Sequence, residues 1–117
     1  MELSMVVMYS IIANALSISG AMEGYEADFV SSYKFKTLST AEVTILLDHA
    51  NNMANNHFKL AQSYFNLWRE TGELEYMCKV GKHNNKHTFW VAFIEEVLVY
   101  MKNQGIDDEI TKVEHHE

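Results

Sequence analysis

Between residues 43 and 68, apolar side chains return every three or four positions. Val43, Leu46, Leu47, Ala50, Met53, Ala54, His57, Leu60, Ala61, Tyr64, Phe65 and Trp68 share one face, while Asp48, Asn51, Asn52, Asn55, Lys59, Gln62, Ser63 and Asn66 fill the other. That period predicts one long amphipathic helix. Ser39 and Glu42 mark its start with the spacing of a capping box, and Leu38 and Val43 stand where a hydrophobic staple closes. Thr71-Gly72 marks its end. About thirty residues make a rod of roughly 45 Å, more than one small core covers without a long partner. A second stripe, Phe89, Phe93, Val97, Tyr100 and Met101, halted by Gln104-Gly105, supplies part of that partner. The two stripes predict a helical hairpin.

Ahead of the hairpin, MELSMVVMYSIIANALSISGA is apolar but has no basic residue at its start and is interrupted by Ser10 and Asn14. It reads as a helix to about Ile18 that buries itself in the core or against a partner subunit, not as a signal peptide or a membrane span. The link from Tyr25 to Tyr33 has no assigned shape. The expected organisation is an N-terminal helical extension over 1–30, a hairpin domain over 31–104 and an acidic tail over 105–117. The fold class is all-α. A homo-oligomer follows from the length of the hairpin helix and the apolar first twenty residues, which need cover.

The chain of 117 residues is 48% hydrophobic and 21% charged, enough apolar content for a packed core. A formal charge of −7 argues against a nucleic-acid polymer or an anionic membrane as partner, since both reward clustered cations. The charge is uneven. Residues 29–90 hold seven Lys/Arg against five acids, whereas residues 107–117 alone hold five acids. The single cysteine, Cys78, precludes an internal disulfide, and with seven Met and no Pro the composition fits a helical cytoplasmic protein.

Cys78, His83 and His87 have the outline of a metal trio, but a structural zinc site takes four ligands at paired spacings. No metal and no cofactor is expected; Cys78 reads as buried and inert, with the imidazoles facing solvent. His57, on the apolar stripe, reads as a core histidine with one hydrogen bond. Glu95 and Glu96 are adjacent and diverge by about 100° on a helix, so they do not share a proton. No nucleophile elbow, phosphate loop or zinc-protease motif occurs, and the expectation is a binding protein, not an enzyme.

Two stretches have binding chemistry. In SSYKFKTLS, Lys34 and Lys36 alternate with Tyr33 and Phe35 just before a helix N-terminus, which suits a flat base and its phosphate. In KVGKHNNKH, residues 79–87, Lys79, Lys82 and Lys86 surround Gly81 and His83. The glycine would let the backbone approach an anion closely, and the bland alternative is a polar turn or solvated first turn between helices.

Both stretches carry a resemblance. KFKTLSTAEVTILL, then a helix, then YMCKVGKHNNKHTFWVAF resemble the phage anti-CBASS sponges, whose helical hairpin also occurs in anti-Thoeris sponges. The matching positions are Phe35 or Tyr33, Leu38-Ser39, Val80-Gly81-Lys82 and Phe89, within residues 33–100. The resemblance implies a homo-oligomer in the host-cell cytoplasm that binds a cyclic di- or trinucleotide messenger without cleaving it. It implies a site made by Tyr33, Lys34, Phe35, Lys36, Lys79, Gly81, Lys82, His83 and Lys86. The competing reading is a small helical inhibitor that docks on a protein through an exposed helical surface and the acidic tail.

Overall fold

The computed structural model describes residues 2–21 and 23–104. Four helices make up 84% of it: α1 (Met5–Ser19), α2 (Tyr25–Tyr33), α3 (Thr40–Thr71) and α4 (Leu74–Asn103). The chain is thus mostly helical, with a long helix pair. Two strands of two residues, β1 (Glu2–Leu3) and β2 (Leu38–Ser39), pair antiparallel with Leu3 opposite Leu38. They tie the start of the chain to the foot of α3. The tail from 105 to 117 lies outside the described residues.

The foot of α3 is built as its sequence predicts. Ser39 Oγ accepts from the Glu42 amide and the Glu42 carboxylate accepts from the Ser39 amide. Leu38 and Val43 are both buried beside this cap. At the far end Gly72 adopts a left-handed conformation (φ 73°) and its amide donates to Trp68 O, so the helix stops on a residue with no Cβ to strain. Only Gly72 and Glu73 separate the two long helices.

That short turn puts KVGKHNNKH inside α4. It is neither a loop nor a first turn, and Gly81 sits at an exposed mid-helix position where an added Cβ would meet nothing within 4 Å. The physical reason is a stripe that the sequence disguises. Val80, His83, His87 and Trp90 follow one another at steps of three and four on the side of α4 that meets α3, so imidazoles occupy positions where aliphatic residues would announce a helix. The expectation for Cys78 and the histidines is reversed. Cys78 is exposed, whereas His83 and His87 turn toward α3, His87 Nδ1 donating to Ala54 O at 2.9 Å.

α1 runs along the second half of α4, from Val99 and Asn103 beside Val6 to Lys86 beside Gly20, with Asn14 hydrogen-bonded to Glu96. Met8, Ile11, Ile12 and Ala15 bury one face of α1, while Met5, Val6 and Ile18 stay exposed. The segment from Tyr25 to Tyr33 is helical and carries Phe29 into the centre of the core. There Phe29 meets Trp90, Phe89 and Phe93 edge-on at centroid distances of 4.8, 6.0 and 5.3 Å. Such aromatic pairs contribute about 0.5–1.5 kcal/mol each beyond the area they bury. Among the described residues, the outer part of the hairpin, past His57 on α3 and before Lys82 on α4, packs on its own two helices. Among the described residues no helix is long and apolar enough to cross a membrane.

Candidate functional site

Glu26 opens its helix on the core side. Glu26, Phe29, Val30 and Tyr33 follow helical spacing, and because Phe29 and Val30 are buried the carboxylate is carried in with them, to zero exposure. Its Oε1 accepts from Trp90 Nε1 at 2.8 Å and from His57 Nε2 at 2.9 Å. Lys86 Nζ lies 3.4 Å from Oε2, with a side chain only 13% exposed. His57 is held at its other edge too: its Nδ1 is 3.0 Å from Nδ1 of His83. The ring centroids are 5.2 Å apart and the planes 28° from parallel, nearly the separation that two imidazoles meeting edge to edge require. The two nitrogens therefore share one proton along the line between them.

An ionised carboxylate only accepts, so His57 Nε2 bears a proton and donates to Glu26, while a single proton lies between the two Nδ1 atoms. Burial raises the Glu26 pKa, but the Trp90 indole N–H, its own backbone amide, Lys86 and His57 outweigh burial and hold the carboxyl below its ordinary value. His83 is shifted down as well, by burial first and then by His57, Lys86 and Lys82, against a smaller opposite pull from Glu26. The cluster thus gathers the Lys86 side chain and the His57–His83 pair around one buried carboxylate. Beyond His83 the rings continue outward: Tyr64 lies parallel to it, 8° off at 5.6 Å, and Tyr76 is 6.1 Å from Tyr64.

The side of α2 that faces the foot of α3 has a different character. A cavity of about 330 Å³ opens between α2 and α3, lined by Tyr25, Tyr33, Leu38, Glu42, Ile45, Leu46 and His49. His49 Nε2 is buried and has no hydrogen-bond partner among the described residues. Tyr25 leans on both His49 and Trp90, at 5.4 and 5.9 Å, and its hydroxyl pKa is raised by burial, then by Tyr33 and Glu26. Outside the cavity, Lys36 Nζ stands 5.0 Å from the centre of the Tyr33 ring and Lys34 Nζ 4.6 Å from that of Tyr9, with the exposed Phe35 tilted against Tyr9 at 5.3 Å.

The residues expected to form one site thus fall into two groups. Tyr33, Lys34, Phe35 and Lys36 gather around the rings of Tyr9 and Tyr33. Lys79, Gly81, Lys82, His83 and Lys86 lie on α4; Lys82 and Lys86 reach the opposite end of α2, about 10 Å away along that helix, and Lys79 and Gly81 lie farther out along the hairpin. Each lysine in the second group has a carboxylate beside it: Glu75 for Lys79, Glu23 for Lys82 and Glu26 for Lys86. Glu26, Tyr25, His49 and Trp90 are additions that the sequence reading did not single out, and His57 makes two hydrogen bonds where one was expected. A signal for Glu26 existed in its place on the apolar spacing of GYEADFVSSY. Among the described residues no three His, Cys, Asp or Glu side chains converge as metal ligands. Comparison of the chain with protein-family models, curated proteins and solved structures gives no match.

Proposed function

We propose that this chain binds a cyclic di- or trinucleotide and sequesters it without cleavage, as an anti-defence protein acting in the host-cell cytoplasm. The observation that carries the reading is the cavity between α2 and α3. It has two tyrosine walls, a buried imidazole nitrogen with no hydrogen-bond partner among the described residues, and Lys36 over the face of Tyr33. A base has the flat faces and polar edge that such a cavity lacks, and its phosphate meets Lys36 and Lys34. The resemblance of the 33–100 segment to the sponges points the same way. A homo-oligomer belongs to the same proposal, since Val6, Ile45, Phe58, Phe65 and Leu74 are exposed along a thin molecule of 52 × 38 × 20 Å.

The test is a thermal-shift panel of cyclic di- and trinucleotides. A ligand at 100 times its dissociation constant stabilises by about 2.7 kcal/mol, and Tyr33→Ala should lose about 1–3 kcal/mol of binding if that ring stacks on a base. A flat response across the panel would overturn the reading. The groove of about 410 Å³ lined by Phe58, Ala61, Phe65 and Val80 favours the second reading, in which the outer hairpin docks on a partner protein. Capture of a defence protein by a chain that binds no nucleotide would select it.

A further inference from the structure

The cavity between α2 and α3 has apolar walls in Leu38, Ile45 and Leu46, and one acidic side chain, Glu42, lines it as well. Its place there is local in origin. Glu42, Ile45, Leu46 and His49 recur at helical spacing, so the residue that completes the capping box of α3 falls on the face of that helix that borders the cavity. The carboxyl is ionised. Hydrogen bonds from the Ser39 amide and side chain outweigh a small burial and, helped by Lys36, hold its pKa below the ordinary carboxylate value. It accepts from the Ser39 amide at 3.1 Å, and a carboxylate has about four acceptor positions and no donor, so a ligand group that meets it has to donate. The geometry points to Glu42 as the specificity residue of this cavity, which takes a guanine whose N1–H and N2–H groups donate to that carboxylate. The inference deepens the binding reading above and rests on it for the class of ligand.

The edges of the bases decide the choice. Guanine carries two adjacent donors on one edge, a fork that matches a carboxylate in the way a guanidinium does. Adenine and cytosine each put an acceptor nitrogen beside their amino group, and uracil sets one N–H between two carbonyls. Each of these would turn a lone pair toward Glu42, so the carboxylate rejects them as well as holding guanine. The cap alone does not call for an anion here. A capping box is completed by Glu or by Gln, and a site that only gathers phosphate loses by having a carboxylate near Lys36. Lys36 meanwhile lies over the Tyr33 ring and acts on Glu42 only from a distance, which leaves the ammonium for a phosphate and the carboxylate for a base edge.

The deciding experiment is calorimetric titration of the full chain with rings that differ only in base. They are cyclic di-GMP, cyclic di-AMP and cyclic di-IMP, and all-adenine cyclic trinucleotides with guanine, adenine or hypoxanthine at one position. In the ring size that binds, the guanine member should exceed the adenine member by about tenfold or more, because a site bonded to an edge rejects the analogue that lacks it. The hypoxanthine member has lost only the 2-amino group and should fall about tenfold below guanine. Glu42→Gln keeps the cap, so it should fold, and in it the gap between guanine and hypoxanthine should close to within about twofold. Should that variant fail to fold, the comparison of guanine with hypoxanthine on the parent chain still decides. Binding that ignores the base would overturn the inference and leave the sequestration reading standing. A guanine preference that survives Glu42→Gln would overturn it too, since another group would then read the base. If no ring of either size binds, the inference and the reading beneath it fall together.

Discussion

The two ends of α2 handle polar groups in opposite ways. At its start Glu26 is buried completely, and its carboxylate meets Trp90, His57 and Lys86. At its end Lys34 and Lys36 stay at the surface and lie over ring faces, with no carboxylate within 4.0 Å among the described residues and Glu42 acting on Lys36 from farther away. Both ends carry charge beside aromatic rings, but solvent makes the energies different in kind. A buried ion leaves a large desolvation cost when its partner is removed, whereas an exposed cation over a ring contributes only about 0.5–1 kcal/mol and is readily given to a ligand. The closed end holds α2 in place; the open end has charge to offer.

The largest predicted effect breaks the closed end. Glu26→Ala removes the acceptor of two hydrogen bonds and leaves Lys86 without its counter-charge, so it should destabilise the fold by about 3–5 kcal/mol in urea unfolding. Trp90→Phe keeps the ring packing and deletes one donor, and should lose about 1–3 kcal/mol. A loss below 1 kcal/mol for Glu26→Ala would mean that the carboxylate is not buried as described, and the contrast between the two ends would disappear.

Acid acts on the same end. His83 and Glu26 both have folded pKa values below their ordinary ones, so in each case the unfolded chain binds protons at a higher pH than the folded one does. Their contributions are therefore complete above the unfolded values and lost as pH falls, from about 6.5 downward for His83 and from about 4.5 downward for Glu26. Melting temperature should be higher at pH 7.5 than at pH 5.5, and lower again near pH 4. His83→Asn should remove the first step and keep the second. A melting temperature that rises on acidification would contradict the lowered values of His83 and Glu26.

What the sequence made legible follows the same division. α3 was readable from both caps because Ser39, Glu42 and Gly72 act through backbone groups close by in sequence, and the exposed aromatic and lysine run of 33–36 could be read directly. The buried cluster was not legible. Its members are Glu26, His57, His83, Lys86 and Trp90, which come from three helices, and polar residues on an apolar stripe look like interruptions until the partner that satisfies them is known. The same effect hid the first half of α4, whose inward positions are partly imidazoles. It also made KVGKHNNKH look like a turn.

Gly81 gives the next effect in size, of opposite sign. It is exposed in the middle of α4, and an added Cβ meets no atom within 4 Å. Gly81→Ala should therefore stabilise the protein by about 0.5–1 kcal/mol, since alanine gives up less backbone entropy in a helix. It also separates two ideas about this glycine. If a ligand phosphate needs the bare backbone there, the variant binds more weakly while melting at a higher temperature; if Gly81 is only a helix position, affinity stays the same and stability alone rises.

The smallest effect on the fold belongs to the open end, and it is the most informative about function. Lys34→Ala and Lys36→Ala should each change stability by no more than about 0.5 kcal/mol, as exposed substitutions usually do. If these lysines hold phosphate, each should nevertheless weaken a cyclic nucleotide by about 1.5–3 kcal/mol, the range for a hydrogen bond to a charged group, in calorimetric titration. Lys79→Ala is the matched control, because its ammonium already faces Glu75 at 3.7 Å on an exposed helix surface. Equal losses at Lys34, Lys36 and Lys79 would spread the site over both ends of α2 and erase the distinction. A loss confined to Lys34 and Lys36 would place the ligand at the end where no ion pair within 4.0 Å holds the lysines among the described residues.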